Sequence, residues 1–415
     1  MIGMEAELNF QEVEQIRRRV TNMKRVIDEF SKELNLLLAI IKLDNNPNYL
    51  LENNELLVDI DWKEFIYLAK HHRIYPTIYE NVINKDINNI PESVINTLHH
   101  LCSKNTVNML SLTAEMGTVC QILENNNIES LVLKGPVLAD YLYGDISKRT
   151  SKDLDILVPI NKIEKVEELL YSLGYQLESY HPRILKDWKR TLQHLSFVHP
   201  IKHIQVEVHI YLNIDMGLKP TFNSLWERRN ESYIAGKPVY SLGTEDLFLY
   251  LVSHGAKHAW FRLRWLVDID RMITKEFNYK SLFELLKKYQ ANISFGQALT
   301  LCLSLFDTKI KKEFKEFNRE NKHQIKLLKK TIYFINQGLI PHSQENSKKF
   351  RKHYKKYLNS IRTKRQNLLI FKNRLYPNCH DASVLPLPKP LHFLYFPLRP
   401  FTWSFRKIKR MRSVA

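Results

Sequence analysis

The sequence contains few cysteines and no long apolar run. Its four cysteines are scattered through 415 residues without a CxxC spacing, which argues against a disulfide scaffold or a zinc knuckle and is typical of a reducing compartment. No stretch reaches the roughly 18 apolar residues of a transmembrane helix. The first residues, MIGMEAELNFQEVEQ, are acidic and lack the apolar core of a signal peptide. We therefore expect a cytoplasmic protein with no transmembrane segment.

Acidic residues are scarce in the C-terminal part of the chain. Residues 309–415 contain five acidic residues against 27 Lys or Arg, whereas residues 1–308 contain 39 against 35. Such asymmetry is typical of contact with a polyanion. Within residues 348–412 the basic side chains interleave with aromatic ones, which suits nucleic acid or an anionic membrane surface. A membrane contact would place the protein at the inner face of the membrane; a solvated helical arm is the third interpretation.

The hydrophobic periodicity divides the chain into four successive regions. Residues 1–125 have helical spacing, residues 126–243 combine short strand patterns with helices, residues 244–340 return to helical spacing, and residues 341–415 form a basic tail rich in proline and aromatic residues. The six prolines of residues 376–415 predict little regular structure there. The sequence thus predicts an α+β fold in which a small mixed sheet is embedded between helical N- and C-terminal regions.

Three local signals predict individual helices. Apolar residues recur at threes and fours over residues 7–43, which predicts an amphipathic helix. Asp61 is placed to cap a helix that begins with the next residue. Asn161 and Glu164 have the spacing of a capping box for a further helix.

Two aspartates alternate with apolar residues in the segment DLDILV. In a strand, Asp153 and Asp155 project to the same side, about 6.5–7 Å apart. Both carboxylates can then reach one hard cation, and Mg²⁺ prefers oxygen ligands. Because Leu154 packs on the opposite face, we expect the aspartate face to be open. Two solvated aspartates on a half-exposed strand are the alternative.

A glycine turn precedes this strand. Lys134 and Gly135 end a predicted strand, and Pro136 is suited to the first position of a helix. Free backbone N–H groups at a helix start favour an anion, and glycine permits close approach of a phosphate. Arg149 could clamp a phosphate or pair with Asp145. An ordinary strand-to-helix turn, with Lys134 in solvent, is the alternative.

A third acid and three histidines complete the candidate site. Glu207 lies on the polar face of the strand pattern VEVHI, where a carboxylate can complete a two-metal site. We interpret His209 beside it as a structural neighbour. His254 and His258 are spaced to share a helix face, which we interpret as a helix packed on the catalytic domain and close to the nucleotide rather than as a zinc site.

These motifs together resemble the DNA polymerase β-type nucleotidyltransferase superfamily. The segments LKGPVLADYLYGD, RxxxDLDILV and VEVH are similar to those of its bacterial family of uncharacterised nucleotidyltransferases. The segments around Asp61 and SHGAKHAWFRLRWLVDIDRMI fit the same pattern. The resemblance covers roughly residues 35–300 of the chain.

The resemblance implies Mg²⁺-dependent transfer of a nucleoside monophosphate, AMP from ATP, to a hydroxyl of a small molecule or protein. It implies that Asp153, Asp155 and Glu207 hold a two-metal site and that Gly135 lies under the triphosphate. Pro136 departs from the usual Gly-Gly or Gly-Ser turn and removes one backbone N–H, and our hypothesis is that Lys134 compensates electrostatically. Two alternatives stay open: a catalytically weak nucleotidyltransferase-fold module for binding or regulation, and a tRNA-type nucleotidyltransferase that uses the basic tail.

Overall fold

The computed structural model describes residues 30–85, 87, 89–179, 193–212, 219–234, 236–318, 322–339 and 347–412. Most of the helix predicted over residues 7–43 lies outside these ranges. The chain forms two compact units, each assembled from segments that are distant in sequence. The first contains the described parts of Met1–Cys102, His258–Ile273 and Gly296–Tyr357; the second contains those of Ser103–Lys257, Thr274–Phe295 and Leu358–Ala415. The division into four successive regions stays a prediction.

Most of the described residues are helical, and none of the described helices is long and apolar enough to cross a bilayer. The α-helices are α1 Lys32–Lys42, α2 Tyr49–Glu52, α3 Trp62–His71, α4 Tyr75–Asn84, α5 Glu92–Asn125, α6 Pro136–Tyr143, α7 Ile163–Ser172, α8 Phe222–Trp226, α9 Thr244–Lys257, α10 Leu263–Ile273, α11 Tyr279–Lys288, α12 Asn292–Phe306, α13 Lys322–Gln337, α14 Lys348–Ile361, α15 Lys364–Leu375, α16 Cys379–Val384 and α17 Tyr395–Arg412. Short 3₁₀ segments are Asn54–Leu57, Ile146–Lys148, Ile160–Lys162, Lys312–Asn318 and Lys389–Leu394.

In the first unit, α1 is buried along most of its length because the run LLLAII leaves it no polar stripe. The Asn81 side-chain amide donates a hydrogen bond of 2.9 Å to the Ile40 carbonyl and so fixes α4 against α1. Asp61 caps α3, as predicted, by accepting hydrogen bonds from the backbone N–H groups of Lys63 and Glu64.

The second unit contains the sheet and the residues of the candidate site. Its seven described strands have the order β3-β4-β5-β2-β1-β7-β6 and combine parallel with antiparallel pairs, so the prediction of an α+β fold with a small mixed sheet is confirmed. The strands are β1 Leu131–Val132, β2 Asp153–Leu157, β3 Gln176–Leu177, β4 His194–Val198, β5 Gln205–His209, β6 Asn230–Ile234 and β7 Lys237–Ser241.

Strand register brings the acids of β2 and β5 together. The two strands are parallel, and Asp155 lies directly beside Glu207. The alternate residues, such as Leu154 and Val206, are completely buried in the core of this unit. The hydrophobic face therefore fixes the register, and the carboxylates are forced onto the opposite face.

The helix start predicted at Asn161 is wrong. Asn161 lies inside a 3₁₀ turn, and α7 begins at Ile163 without a side-chain cap. Pro159 directly precedes this turn. Because the 3₁₀ turn includes Asn161, this residue is not the N-cap of α7. Glu164 is the second residue of α7 and not the third, as a capping box requires.

The prediction of little regular structure in residues 376–415 is also wrong, because this segment forms α16, a 3₁₀ turn and α17. Proline is tolerated in the first turn of a helix, where N–H groups have no intrahelical partner. Pro397 occupies such a position, and only Pro400 interrupts the helix interior. The number of prolines was a poorer guide than their positions.

Candidate active site

The turn between β1 and α6 depends on glycine at one position. Gly135 has φ 85° and ψ −136°, a conformation that side chains disfavour. A Cβ there would come no nearer than 3.7 Å to the Asp153 carbonyl oxygen, so backbone conformation rather than crowding requires glycine. Pro136 is the first residue of α6, as predicted.

Lys134 points at the two aspartates. Its Nζ lies 3.0 Å from Oδ2 of Asp155 and 3.7 Å from Oδ1 of Asp153. Only 14% of its side chain is exposed. The alternative of an ordinary turn with Lys134 in solvent is therefore wrong, because the Lys134 ammonium group lies close to both carboxylates.

The expectation of an open aspartate face is wrong for one of the two residues. The Asp155 side chain is 1% exposed, whereas that of Asp153 is 25% exposed. Lys134 covers Asp155 on one side, and Nε2 of His209 lies 2.9 Å from its other oxygen. Asp155 is therefore held between two basic groups, and Asp153 is the more accessible acid.

Glu207 lies among histidines. Its Oε2 is 3.5 Å from Nε2 of His209 and 3.9 Å from Nε2 of His194, which comes from the neighbouring strand β4. Antiparallel pairing sets His194 directly opposite His209. The ligand atoms of these three residues lie within 4.8 Å of one another, a spacing that could hold a metal ion.

Electrostatics favours the charged forms of the central groups. Burial raises the pKa of Asp155, but the Lys134 charge and the His209 hydrogen bond outweigh burial and hold that pKa well below its ordinary value. Burial lowers the pKa of Lys134 and of His209, yet the nearby carboxylates bring both pKa values above their ordinary values. The buried acid is thus stabilised as a carboxylate.

The chemistry of the three predicted acids suits a divalent cation, although among the described residues the ligand groups that lie within 4.8 Å of one another are those of His194, Glu207 and His209. Asp153, Asp155 and Glu207 supply carboxylate oxygens from two paired strands, which are the ligands that Mg²⁺ prefers. The Lys134 Nζ atom lies 3.0 Å from Asp155 and 3.7 Å from Asp153, which shows that a single positive charge can contact both aspartates. His209 orients Asp155, as a neighbour of a metal ligand commonly does.

Arg149 acts on the same buried group as the acids, because burial and the three carboxylates raise the pKa of Tyr250 and the Arg149 charge lowers it. Arg149 is buried, and its guanidinium donates a hydrogen bond of 3.4 Å to the Thr150 carbonyl. Asp145 accepts a hydrogen bond from the Ser147 backbone N–H instead. A phosphate-clamping role for Arg149 stays a prediction.

His254 lies in α9, whereas His258 directly follows the last residue of that helix, and a place for either histidine near the nucleotide stays a prediction. Helix α9 ends at Lys257, and the two residues after His258, Ala259 and Trp260, have positive φ. His254 belongs to the second unit and His258 to the first. The His258 ring stacks on Trp265, with ring centroids 5.1 Å apart, inside the first unit.

The sequence interpretation missed His194. Along β4, His194 and Ser196 alternate with the buried Leu195 and Phe197. This alternation could have placed His194 on the polar face of the sheet. Its position opposite His209 depends on which strands pair, and that information is not local.

Comparison with known proteins gave a family and several distant structures. A family model described as "Uncharacterised nucleotidyltransferase" matches residues 58–307. A search of curated protein sequences gave no match.

Similar solved structures include the antibiotic-resistance factor ANT(2'')-Ia, with 12% identity, a TM-score of 0.33, and coverage of 45% of this chain and 95% of its own. The lincosamide antibiotic adenylyltransferase LnuA, lincomycin-bound, has 17% identity, a TM-score of 0.26 and coverage of 38% and 93%. An antigenic nucleotidyltransferase-like protein from Paracoccidioides brasiliensis has 18% identity, a TM-score of 0.27 and coverage of 48% and 94%.

Proposed function

This chain belongs to the uncharacterised nucleotidyltransferase family, and we propose that it transfers AMP from ATP to a hydroxyl group of a small molecule or protein in the cytoplasm. Nucleotidyl transfer is the activity class of the family. The donor, the metal and the acceptor are the parts that we propose. The single observation that carries the proposal is the pairing of β2 with β5, which collects Asp153, Asp155 and Glu207 on one sheet face.

The three carboxylates would hold Mg²⁺, in a two-metal arrangement. Bound divalent cations neutralise phosphate oxygens and favour in-line displacement at phosphorus. Asp153 and Glu207 are partly exposed, with 25% and 19% of their side chains accessible, so they can face substrate. Asp155 is buried and anchored by His209, and it would fix the position of the site relative to the sheet.

The phosphate chain of the nucleotide would lie at the Gly135 turn. Backbone N–H groups at the start of α6 attract an anion, although Pro136 removes one of them. The Lys134 ammonium group lies at the end of β1 next to this turn and can turn from the aspartates toward a phosphate, because its side chain is flexible. Lys134 would thus supply the positive charge that the turn lacks. Arg149 is the second phosphate-binding residue that we propose.

The acceptor hydroxyl would attack the α-phosphorus of ATP. One P–O bond forms to the acceptor, the bond to the β-phosphate breaks, and pyrophosphate leaves with the electron pair of that bond. The hydroxyl proton is accepted by a carboxylate or by water. The protein contributes mainly position and charge neutralisation.

The experiment measures transfer of the label from each of the four α-labelled nucleoside triphosphates to a panel of hydroxyl acceptors with Mg²⁺, and measures pyrophosphate release separately, because the α-phosphate stays with the acceptor. We expect release with ATP that is lost in Asp153→Asn and Glu207→Gln. Glu164→Gln is the matched control, because Glu164 lies in the first turn of α7 on the surface. Release that persists in both site variants would contradict the proposal.

A binding or regulatory module is a second candidate. Pro136 favours it because it removes a backbone N–H from the phosphate turn, and Lys134 favours it because its ammonium group competes with a metal ion for both aspartates. This candidate predicts ATP binding by calorimetry without pyrophosphate release from any acceptor. ATP turnover that depends on Asp153 would exclude it.

A further inference from the structure

Helix α17 is turned so that polar residues are buried and apolar residues are exposed. Arg399 and Thr402 are 8% and 5% exposed, whereas Phe401, Trp403 and Phe405 are 72%, 53% and 57% exposed. A surface helix of a globular protein normally has the opposite arrangement. Because successive residues of an α-helix are turned by about 100°, Phe401, Phe405 and the 48% exposed Ile408 share one face of α17, and Trp403 lies near the opposite side. That shared face is apolar.

A buried carboxylate on α16 explains this orientation. Asp381 is fully buried and accepts hydrogen bonds from the Arg399 guanidinium, from Thr402 Oγ1 at 2.6 Å and from the Arg406 guanidinium at 3.0 Å. Burial raises the pKa of Asp381, but these hydrogen bonds and one from the Asn378 backbone keep that pKa below its ordinary value. Since a buried charge needs its partners, the polar face of α17 is held inward.

Exposed apolar side chains are not confined to α17. The Phe396 ring contacts the Tyr376 ring, with centroids 5.3 Å apart, and so joins α17 to the residue that follows α15. Exposed apolar side chains concentrated in this way are uncommon on soluble monomers and mark interaction sites. The other exposed large apolar residues within residues 364–412 are Leu368, Phe371, Leu375, Leu385, Leu391, Phe393 and Ile408.

Charge selects the kind of partner. Residues 364–412 contain eleven Lys or Arg and one acid, and that acid is the buried Asp381. The segment therefore presents no carboxylate to a partner. Apolar and aromatic side chains that enter the acyl boundary, together with Lys and Arg that meet anionic headgroups, are the features of an interfacial helix. Exposed aliphatic residues such as Leu391 and Ile408 offer nothing to stacked nucleic-acid bases.

We propose that α15, α16 and α17, which together we call the docking surface, bind the surface of an anionic lipid bilayer. Helix α17 lies in the plane of the interface with Phe401, Phe405 and Ile408 directed toward the acyl chains. Bilayer binding by the docking surface is a property separate from nucleotidyl transfer and does not depend on it. Docking confines the enzyme to acceptors at or near a membrane.

The test is flotation of the full chain with vesicles of phosphatidylcholine alone or with about 30% phosphatidylglycerol, which supplies the anionic surface on which such binding depends. The variant Phe401→Ser/Phe405→Ser/Ile408→Ser removes the shared apolar face of α17 without changing the charge. The control, Ile201→Ser/Tyr233→Ser, changes two residues of the same unit that are 83% and 72% exposed. Circular dichroism of each variant establishes that it is folded, and incubation of the full chain with RNA-coated beads, with bare beads as the background, measures RNA capture.

We expect binding to the anionic vesicles at least roughly tenfold stronger than to neutral ones, as headgroup attraction requires. The triple variant loses at least roughly tenfold of that binding, and the control keeps it. Equal vesicle binding by the triple variant and the control would overturn the proposal. Capture by RNA without flotation, or self-association that the triple variant abolishes without flotation, would also overturn it.

Discussion

Two buried aspartates, one in each unit, show how neighbours decide what a carboxylate can do. Asp155 and Asp270 are 1% and 7% exposed. Asp155 lies between Lys134 and His209, and its pKa falls because these basic groups outweigh burial. Asp270 accepts hydrogen bonds from the neutral donors Thr308 and Asn45, and burial raises its pKa to about 6. Asp155 is therefore kept as a charged carboxylate that can bind a cation. Asp270 is a structural acid whose charged form is destabilised by burial.

Removing each carboxylate gives the largest expected difference. Asp155→Asn should lower nucleotidyl transfer roughly 1,000-fold or more, as loss of a preorganised charge does. Asp270→Asn should leave the transfer rate within a factor of about two. Steady-state pyrophosphate release measures both. Equal losses in the two variants would mean that Asp155 acts through folding alone, and thermal unfolding curves of each variant test that directly.

The pH dependence of stability separates the two acids further. The pKa of Asp270 is about 6 in the folded chain, whereas its ordinary value, which applies to the unfolded chain, is 3.8. Its stabilising contribution is thus complete below the unfolded pKa and is lost as pH rises through the folded pKa, for a total of about 3 kcal/mol. Asp155, with a lowered pKa, has the opposite sign and loses its contribution as pH falls.

Asp270→Asn should therefore become more stable relative to the wild type as pH rises. Between pH 5 and 8 we expect a gain of about 1–2 kcal/mol in the free energy of unfolding. Asparagine keeps an oxygen that can accept the Thr308 and Asn45 hydrogen bonds, so the packing is preserved. Urea unfolding at several pH values measures the gain, and a difference between the two proteins that stays constant over this range would refute the assignment.

Lys134→Met tests how a basic neighbour affects metal binding by the two aspartates. The ammonium group touches both aspartates, so it competes with a divalent cation for them. Without nucleotide, we expect the variant to bind Mn²⁺ about tenfold more tightly, which is a change of about 1.4 kcal/mol, and to bind ATP more weakly. Titration calorimetry at pH 8 measures both affinities.

Lys134→Arg is the matched control, because it keeps the positive charge and should keep Mn²⁺ binding weak. If Lys134→Met binds Mn²⁺ no better than the wild type, the ammonium group is not a competitor. Unchanged ATP affinity in that variant would contradict the idea that Lys134 compensates for Pro136.

Local pattern was enough to predict several parts of the site. The alternation in DLDILV and VEVHI assigned Asp153, Asp155 and Glu207 to polar strand faces, because side-chain direction has a period of two. The glycine turn and the proline at the start of α6 followed from backbone geometry alone. These features depend only on neighbours in sequence.

The burial of Asp155 could not be predicted, because it depends on residues that are brought near by the sheet. Lys134 reaches it from the turn after β1, and His209 reaches it from β5. The orientation of α17 was unpredictable for the same reason, since Asp381 on another helix holds the polar side inward. In both places a buried charge pairs with groups that are distant in sequence and reverses what hydrophobic pattern alone implies.

The central claim is that Asp153, Asp155 and Glu207 form a metal site for nucleotide transfer. The direct measurement is the electron paramagnetic resonance of Mn²⁺ titrated into the full chain with a non-hydrolysable ATP analogue, for the wild type and for Asp153→Asn/Asp155→Asn/Glu207→Gln. We predict that the analogue promotes Mn²⁺ binding to the wild type and that the triple variant, folded by circular dichroism, loses this binding. Equal nucleotide-dependent Mn²⁺ binding by the two proteins would contradict the account.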